Sequence, residues 1–198
     1  MVQVGGILAD VHPVEATKSG CDEALCGGCR LRPKLHAEDK AKGLEVSEHP
    51  CYVKTIYKSA QRKAGITQET TFEEAVDALR GKDVRFGEYG NMSAFPRGVL
   101  EPAFEAVVES GGNHTCYEHE WENPANQWLA KYAMASVHNE EERARAKALE
   151  WRTFRIGETQ LPGEMLCLYE SKGVQCVRCK LCSGNQVNKR DIYIPSHT

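Results

Sequence analysis

The sequence predicts an α/β protein, a partial (β/α) barrel with cysteine-rich metal-binding margins at both ends. Three observations predict it. Between Val84 and Ile156 short apolar runs alternate with helical segments, the pattern of parallel strands joined by crossover helices. About four strands are visible there, too few for a closed eight-stranded barrel but enough for an open α/β sheet or part of a barrel. Nine cysteines are present, and all but Cys116 lie outside the alternating segment.

A chain of 198 residues, 41% hydrophobic and 27% charged, is long enough to bury a core and too apolar to be disordered. We read residues 1–198 as one domain. Residues 1–50 form a loop region rich in Gly, Pro and charge, 51–160 a helical and β/α core, and 161–198 a C-terminal cysteine cluster. Within the core, Val53, Ile56, Tyr57 and Ala60 recur at helical spacing, predicting a helix from about Cys51 to Ala64 that Gly65 stops. A second helix follows Thr71, where Thr71 and Glu74 have the spacing of a capping box. Phe72, Ala75, Val76 and Leu79 form its apolar stripe and Gly81 its end. Short apolar runs come next: Val84–Tyr89, Leu100–Val108, Thr115–His119, Tyr132–Val137 and Thr153–Ile156. A helix from about Glu140 to Trp151 separates the last two, capped by Asn139 with Glu142 at its third position.

Several function classes find no support. The formal charge of −3 does not advertise a nucleic-acid surface. Lys58, Arg62 and Lys63 cluster, as one solvated helix face also would. No stretch reaches the roughly 20 apolar residues of a membrane span, and Met1–Asp10 lacks the basic and apolar regions of a secretory signal. A cytoplasmic protein is expected. Nucleophile–base pairs, Gly-rich phosphate loops and paired-carboxylate spacings do not stand out.

Cysteines in a reducing compartment more often bind metal than pair. The strongest signal is Cys176-Val-Arg-Cys179-Lys-Leu-Cys182, with Cys167 nine positions upstream. Two-residue gaps bring successive thiolates around one tight turn. Structural zinc sites usually use two separated ligand pairs, whereas an overlapping run resembles the way ferredoxins wrap a cubane. An iron–sulfur cluster is favoured, with zinc as the alternative. A second constellation is Cys26-Gly-Gly-Cys29, with Cys21 before it and Cys51 beyond. Its glycines let the backbone fold around a metal. Cys21-x4-Cys26-x2-Cys29 is one residue longer than the three-cysteine signature of radical S-adenosylmethionine enzymes. Cys116, inside an apolar run, reads as a core residue.

In parallel α/β architectures ligands bind beyond the C-terminal ends of strands. The polar residues there are Glu88 and Asn91, Glu118 and His119, Ser136 and His138, and Arg155. Glu88, Asn91, His119 and Ser136 are the candidates for lining a substrate pocket.

Taken together, Cys26-Gly-Gly-Cys29, Cys51-Tyr52, Val84-Arg-Phe-Gly-Glu-Tyr-Gly-Asn91, Tyr117-Glu-His-Glu-Trp121, Met134-Ala-Ser-Val137, Trp151-Arg-Thr-Phe-Arg155, the C-terminal cysteine run and Ile194-Pro-Ser-His197 resemble bacteriophage and prophage proteins. These are similar to relatives of the phage gene-product-eighty-eight family. The resemblance implies a partial barrel like that of radical S-adenosylmethionine enzymes, with cysteine clusters before and after it, in a host cell's cytoplasm. It brings no established activity. It gives Glu88 and Asn91 a site role and makes Cys26, Cys29 and Cys51 the trio of an N-terminal cluster, with one iron open to S-adenosylmethionine. A Gly-Gly-Glu segment for the methionine amine is absent. Two classes of function follow: an iron–sulfur enzyme of radical type acting on a small molecule, or a zinc- or cluster-stabilised binding protein that engages a host protein.

Overall fold

A computed structural model describes residues 2–4, 23–29, 32–44, 46, 71–87, 90–184 and 190–195. The expected helix over Cys51–Ala64, its Lys58, Arg62 and Lys63, and also Cys21, Cys51 and Glu88, lie outside the described residues. The chain runs through β1 (Val2–Val4), α1 (Glu23–Cys26), α2 (Pro33–Ala41), α3 (Phe72–Asp77), β2 (Val84–Phe86), α4 (Arg97–Glu109), β3 (His114–Thr115) and β4 (Tyr117–Glu118). It continues through β5 (Met134–Val137), α5 (Glu140–Ala148), β6 (Arg152–Gly157), β7 (Glu164–Leu166), α6 (Leu168–Lys172), α7 (Cys176–Cys179) and β8 (Asp191–Pro195). Short 3-10 helices span Met92–Ala94 and Pro124–Lys131.

The α/β class is borne out, since every pairing between these strands is parallel. One sheet has the order β1-β2-β3 and the other β4-β5-β6-β8-β7. Only Cys116 separates β3 from β4, so the chain steps from one sheet to the next within a single residue.

Local chemistry explains the elements. Thr71 Oγ1 accepts from the Glu74 amide at 3.2 Å while Glu74 Oε2 accepts from the Thr71 amide at 2.9 Å, the expected capping box. At α5, Asn139 Oδ1 accepts from the Glu142 amide at 2.8 Å, and Glu142 Oε2 from the His138 amide at 2.8 Å. The run Leu100–Val108 belongs to α4 and not to a strand. Leu100, Ala103, Phe104 and Val107 are buried at the 3.6-residue period.

That stripe makes the core. Phe104 stacks on Tyr132, with ring centroids 4.7 Å apart, and meets Phe86 at 4.3 Å. Each such buried side chain contributes about 1.5–3 kcal/mol of transfer free energy. Cys116 is fully buried in the same cluster, as its place in an apolar run suggested.

The opposite edge is polar and equally tied down. Arg155 donates to both oxygens of Glu164, at 2.7 and 2.8 Å, in a buried bidentate pair. Asp191 accepts from Arg143 and Lys147 of α5 and from the Thr153 amide, all at 3.0–3.1 Å. These bonds clamp α5 over β6, β7 and β8. They also assign Arg155, a strand-end candidate, to structure.

Residues 1–50 are not only loop. α2 has Pro33 at its first position, where the missing amide hydrogen costs nothing, and buries His36.

Candidate metal centre

Cys167 directly follows β7, and its amide donates to the Tyr193 carbonyl at 2.9 Å. The chain then makes α6, reverses at Gly173 in the left-handed region (φ 66°) and enters α7 at Cys176. Lys180 also takes a left-handed conformation (φ 56°), uncommon for a residue with a Cβ. Its amide donates to the Cys176 carbonyl at 3.0 Å, and the Ser183 amide to the Lys180 carbonyl at 3.0 Å. Successive tight turns therefore present Cys176, Cys179 and Cys182 toward one space.

Two anchors hold this segment on the sheet. Thr115 and Ser183 form an antiparallel bridge, and the Gly184 amide donates to the His114 carbonyl at 2.9 Å. A Cβ at Gly184 would clash with the Tyr132 carbonyl and the His114 ring, so only glycine fits. The second anchor is Arg152, the first residue of β6. It donates to the Ser183 carbonyl at 2.6 Å, the Leu181 carbonyl at 2.8 Å and the Arg190 carbonyl at 3.0 Å. Its buried Nε has no hydrogen-bond partner among the described residues.

The four cysteines Cys167, Cys176, Cys179 and Cys182 line one cavity with Thr115, Leu168 and Ile192. All four carry free thiols. Cys176 is exposed at the mouth and the others are half-buried. Burial pushes the Cys182 thiol up to about 12; the hydrogen bond from Tyr117 pulls the other way, while Cys167, Cys176 and Cys179 add to the rise. Burial also raises Cys176, reinforced by Cys167 and opposed by the Arg85 guanidinium. Tyr117 is raised by its own burial and by Cys182. Among the described residues, no three His, Cys, Asp or Glu side chains close on a point that could hold a single metal ion.

The N-terminal pair is positioned differently. Cys26 ends α1, and the Cys29 amide donates to its carbonyl at 3.1 Å. Gly27 has φ 52°, and the Gly28 amide donates to Glu120 Oε1. A side chain at Gly27 would meet Glu120, two residues past β4. The Cys26–Cys29 loop thus rests at the C-terminal ends of the strands. Cys51, the third member of the expected trio, lies outside the described residues.

Of the pocket candidates, Asn91 and His119 are brought together: Asn91 Oδ1 accepts from the His119 amide at 3.0 Å. Burial pulls His119 down to about 4, with the charge of His138 acting in the same direction. Ser136 is buried on neighbouring β5, and its carbonyl accepts from Trp121 Nε1 at 3.2 Å. Glu118 is fully buried and accepts from the Ser93 hydroxyl at 2.9 Å, the Ser93 amide at 3.1 Å and the Glu120 amide at 2.8 Å, so it braces a turn. None of Asn91, His119 and Ser136 lines the four-cysteine cavity. Sequence reasoning missed Tyr117, Arg152 and Gly184. The available signals were weak: a glycine two residues after Cys182, and an arginine opening an apolar run.

No protein-family model, curated protein or solved structure matches the chain. No helix among the described residues is long and apolar enough to cross a membrane.

Proposed function

We propose that this chain is an iron–sulfur protein whose cluster is held by Cys167, Cys176, Cys179 and Cys182. The observation that carries the reading is the convergence of these four cysteines on one cavity. Tetrahedral zinc with Zn–S near 2.3 Å requires its sulfurs within about 3.8 Å of one another. A cubane gives each thiolate its own iron and so needs a ring of sulfurs around a larger volume. The overlapping Cys176-x2-Cys179-x2-Cys182 run, with Cys167 on the same cavity, supports the second arrangement. The surroundings support an anionic centre as well, since Arg152 brings a buried, incompletely bonded guanidinium beside Cys182.

The proposal extends to a partial (β/α) barrel of radical type, in which Cys26, Cys29 and Cys51 would hold a second cluster with an iron open to S-adenosylmethionine. Two observations support it: parallel neighbours that follow one another along the chain in β1-β2-β3 and β4-β5-β6, and the docking of the Cys26–Cys29 loop on Glu120 at the strand ends. A small-molecule substrate would then meet Glu88, Asn91, His119 and Ser136 at that rim. The cofactor would supply the radical chemistry, and the chain would orient the substrate and exclude water.

Anaerobic purification followed by iron, sulfide and zinc analysis tests the reading. A brown protein that loses iron in Cys179→Ala is expected. Colourless protein with stoichiometric zinc would sink it, in favour of a zinc-stabilised protein that binds a host factor. Retention of half the iron in Cys179→Ala and the other half in Cys29→Ala would separate one centre from two.

A further inference from the structure

We infer that the segment carrying the four cysteines also presents a binding face for single-stranded RNA, made by Tyr169, Gln175 and the cations Lys172, Arg178, Lys180 and Arg190. Such a face goes beyond the proposed function and stands whether the cysteines hold a cluster or zinc. The chain as a whole carries a formal charge of −3, yet that charge is unevenly placed. Between Cys167 and Gly184 stand Lys172, Arg178 and Lys180 against a single carboxylate, Glu170. Behind them Arg152 adds a buried guanidinium, so the local field is positive in a protein of negative net charge.

The fold brings these groups together. Only Gly173, Val174 and Gln175 separate α6 from α7, and the Val174 amide donates back to the Leu168 carbonyl at 3.2 Å. Lys172 at the end of α6 and Arg178 within α7 therefore stay close. Tyr169 and Lys180 line the same cavity. Arg190 joins them because its carbonyl shares the Arg152 guanidinium with the carbonyls of Leu181 and Ser183. Tyr169 is 50% exposed, and Lys172, Arg178 and Arg190 are exposed. Neither Lys172 nor Arg178 has a carboxylate partner among the described residues. Lys180 is paired with Asp83 at 3.1 Å but keeps 42% of its side chain in solvent.

Cations grouped in this way answer phosphates, and an exposed aromatic ring answers an unstacked base. A duplex keeps its bases stacked and offers Tyr169 nothing, so the strand is single. A protein partner fits less well. Stable interfaces cover about 800 Å² on each side around an apolar centre, and among the described residues of this segment only Tyr169 and Val177 are exposed large apolar side chains. The choice of RNA over DNA rests on Gln175. It stands exposed at the start of α7 and makes no side-chain capping bond, so its amide is able both to donate to and to accept from a ribose 2′-hydroxyl.

The test is fluorescence anisotropy of the full chain, in the metal state in which it purifies, with short labelled oligo(U) and oligo(dT) between roughly 50 and 200 mM salt. Oligo(U) is expected to bind with a Kd of roughly 1–100 μM, and log affinity to fall with log salt at a slope of about −2 to −3, about −0.7 for each phosphate neutralised. Tyr169→Ala should weaken binding on the order of tenfold at unchanged slope. Arg178→Ala should instead make the slope shallower by about 0.7, and Lys172→Ala repeats that measurement at an independent position. Gln175→Ala should bring oligo(U) down to the affinity of oligo(dT). All four side chains are exposed, so circular dichroism is expected to match that of the wild type. Absence of oligo(U) binding at the lowest salt, or binding that Tyr169→Ala, Arg178→Ala and Lys172→Ala all leave unchanged, overturns the face. Equal wild-type affinity for oligo(dT) overturns the choice of RNA, and full competition by polyglutamate at equal charge overturns it in favour of an acidic protein. Metal analysis of the same preparations reports on the centre separately, so the failure of one reading is distinguished from the failure of the other.

Discussion

Arg152 carries more of the candidate site than any other single side chain, and its replacement has a magnitude that follows from its bonds. Arg152→Met keeps the aliphatic stem and removes three hydrogen bonds to carbonyls of Leu181, Ser183 and Arg190. Bonds from a charged donor are worth about 1.5–3 kcal/mol each, and of the acceptors left behind Ser183 is buried while those at Leu181 and Arg190 are partly so. Against that stands the cost of burying the guanidinium, visible in the lowering of its pKa by burial. Removing one partner from a buried charged arrangement typically costs about 3–5 kcal/mol net. For a domain of this size about 3 kcal/mol corresponds to a fall in Tm of roughly 6–12 °C. The same bonds fix the backbone on both sides of Cys182, so metal retention should fall about 10–100-fold, as when a group that orients a ligand is removed. Arg152→Lys should recover little, because a single ammonium cannot span three carbonyls. Urea unfolding of the metal-free chain gives the first quantity, and release of metal to a chelator gives the second. If Arg152→Met unfolds at the wild-type midpoint and holds metal equally well, the anchoring role is wrong.

Gly184→Ala should loosen the same loop by another route, since the new Cβ strikes the Tyr132 carbonyl and the His114 ring. A loss of about 1–3 kcal/mol is expected from overpacking, read as lower metal retention with the sheet intact by circular dichroism. Acid should destabilise the protein before the ordinary carboxylates titrate. Burial holds His114 down to about 4 from 6.5, so the unfolded chain binds the extra proton first. Stability is then fully present above pH 6.5 and falls by about 3 kcal/mol as pH drops to about 4. Urea midpoints that stay flat across that window in the metal-free chain would contradict it. Removing metal should raise amide exchange across Cys167–Gly184 while β5 and β6 stay protected, and equal loss of protection in both regions would show that the centre holds the whole fold.

The parts of the fold that were legible in the sequence are those whose signal is local. Thr71 with Glu74 and Asn139 with Glu142 cap helices through contacts three residues apart, and the spacing alone exposes them. β2, β5 and β6 stand out as apolar runs because one or both faces are covered. β7 and β8 do not. Glu164 and Asp191, acidic residues that would ordinarily argue against a buried strand, are neutralised by Arg155, Arg143 and Lys147 from distant positions. α2 shows no apolar stripe and was missed for that reason. The convergence of the cysteine run on one cavity is legible in its spacing, whereas Arg152 reaches the cysteine loop only because parallel pairing sets β6 beside β5. Ala135 and its neighbours carry no trace of that adjacency in their identities. The run Leu100–Val108 shows the converse difficulty: an apolar stretch is read as strand or helix by its period, and nine residues hold barely more than two helical turns.

Why the four-cysteine cavity is built against the sheet follows from the weakness of the loop that bears it. α6 and α7 contain five and four residues, well below the length at which a helix is stable alone. Tyr169 and Val177 are exposed, so the segment buries little apolar surface of its own. Its order comes from bonds to the sheet, to which a bound centre would add in the proposed reading. The sheet supplies the bonds to Arg152, His114 and Thr115, which set the loop's path without closing the thiols on a point. In the proposed reading a metal centre would supply the rest, and binding it would displace protons, against the burial that raises the Cys182 thiol. Forming several thiolates side by side would be prohibitive in an apolar cavity. The guanidiniums of Arg85 and Arg152 and the hydroxyl of Tyr117 lower that cost on the sheet side, leaving Cys176 at the mouth to be stabilised by solvent. If the cavity holds a cluster, Cys182 is the ligand whose backbone the protein itself fixes most firmly, through the bonds of Arg152 to the carbonyls on both sides of it.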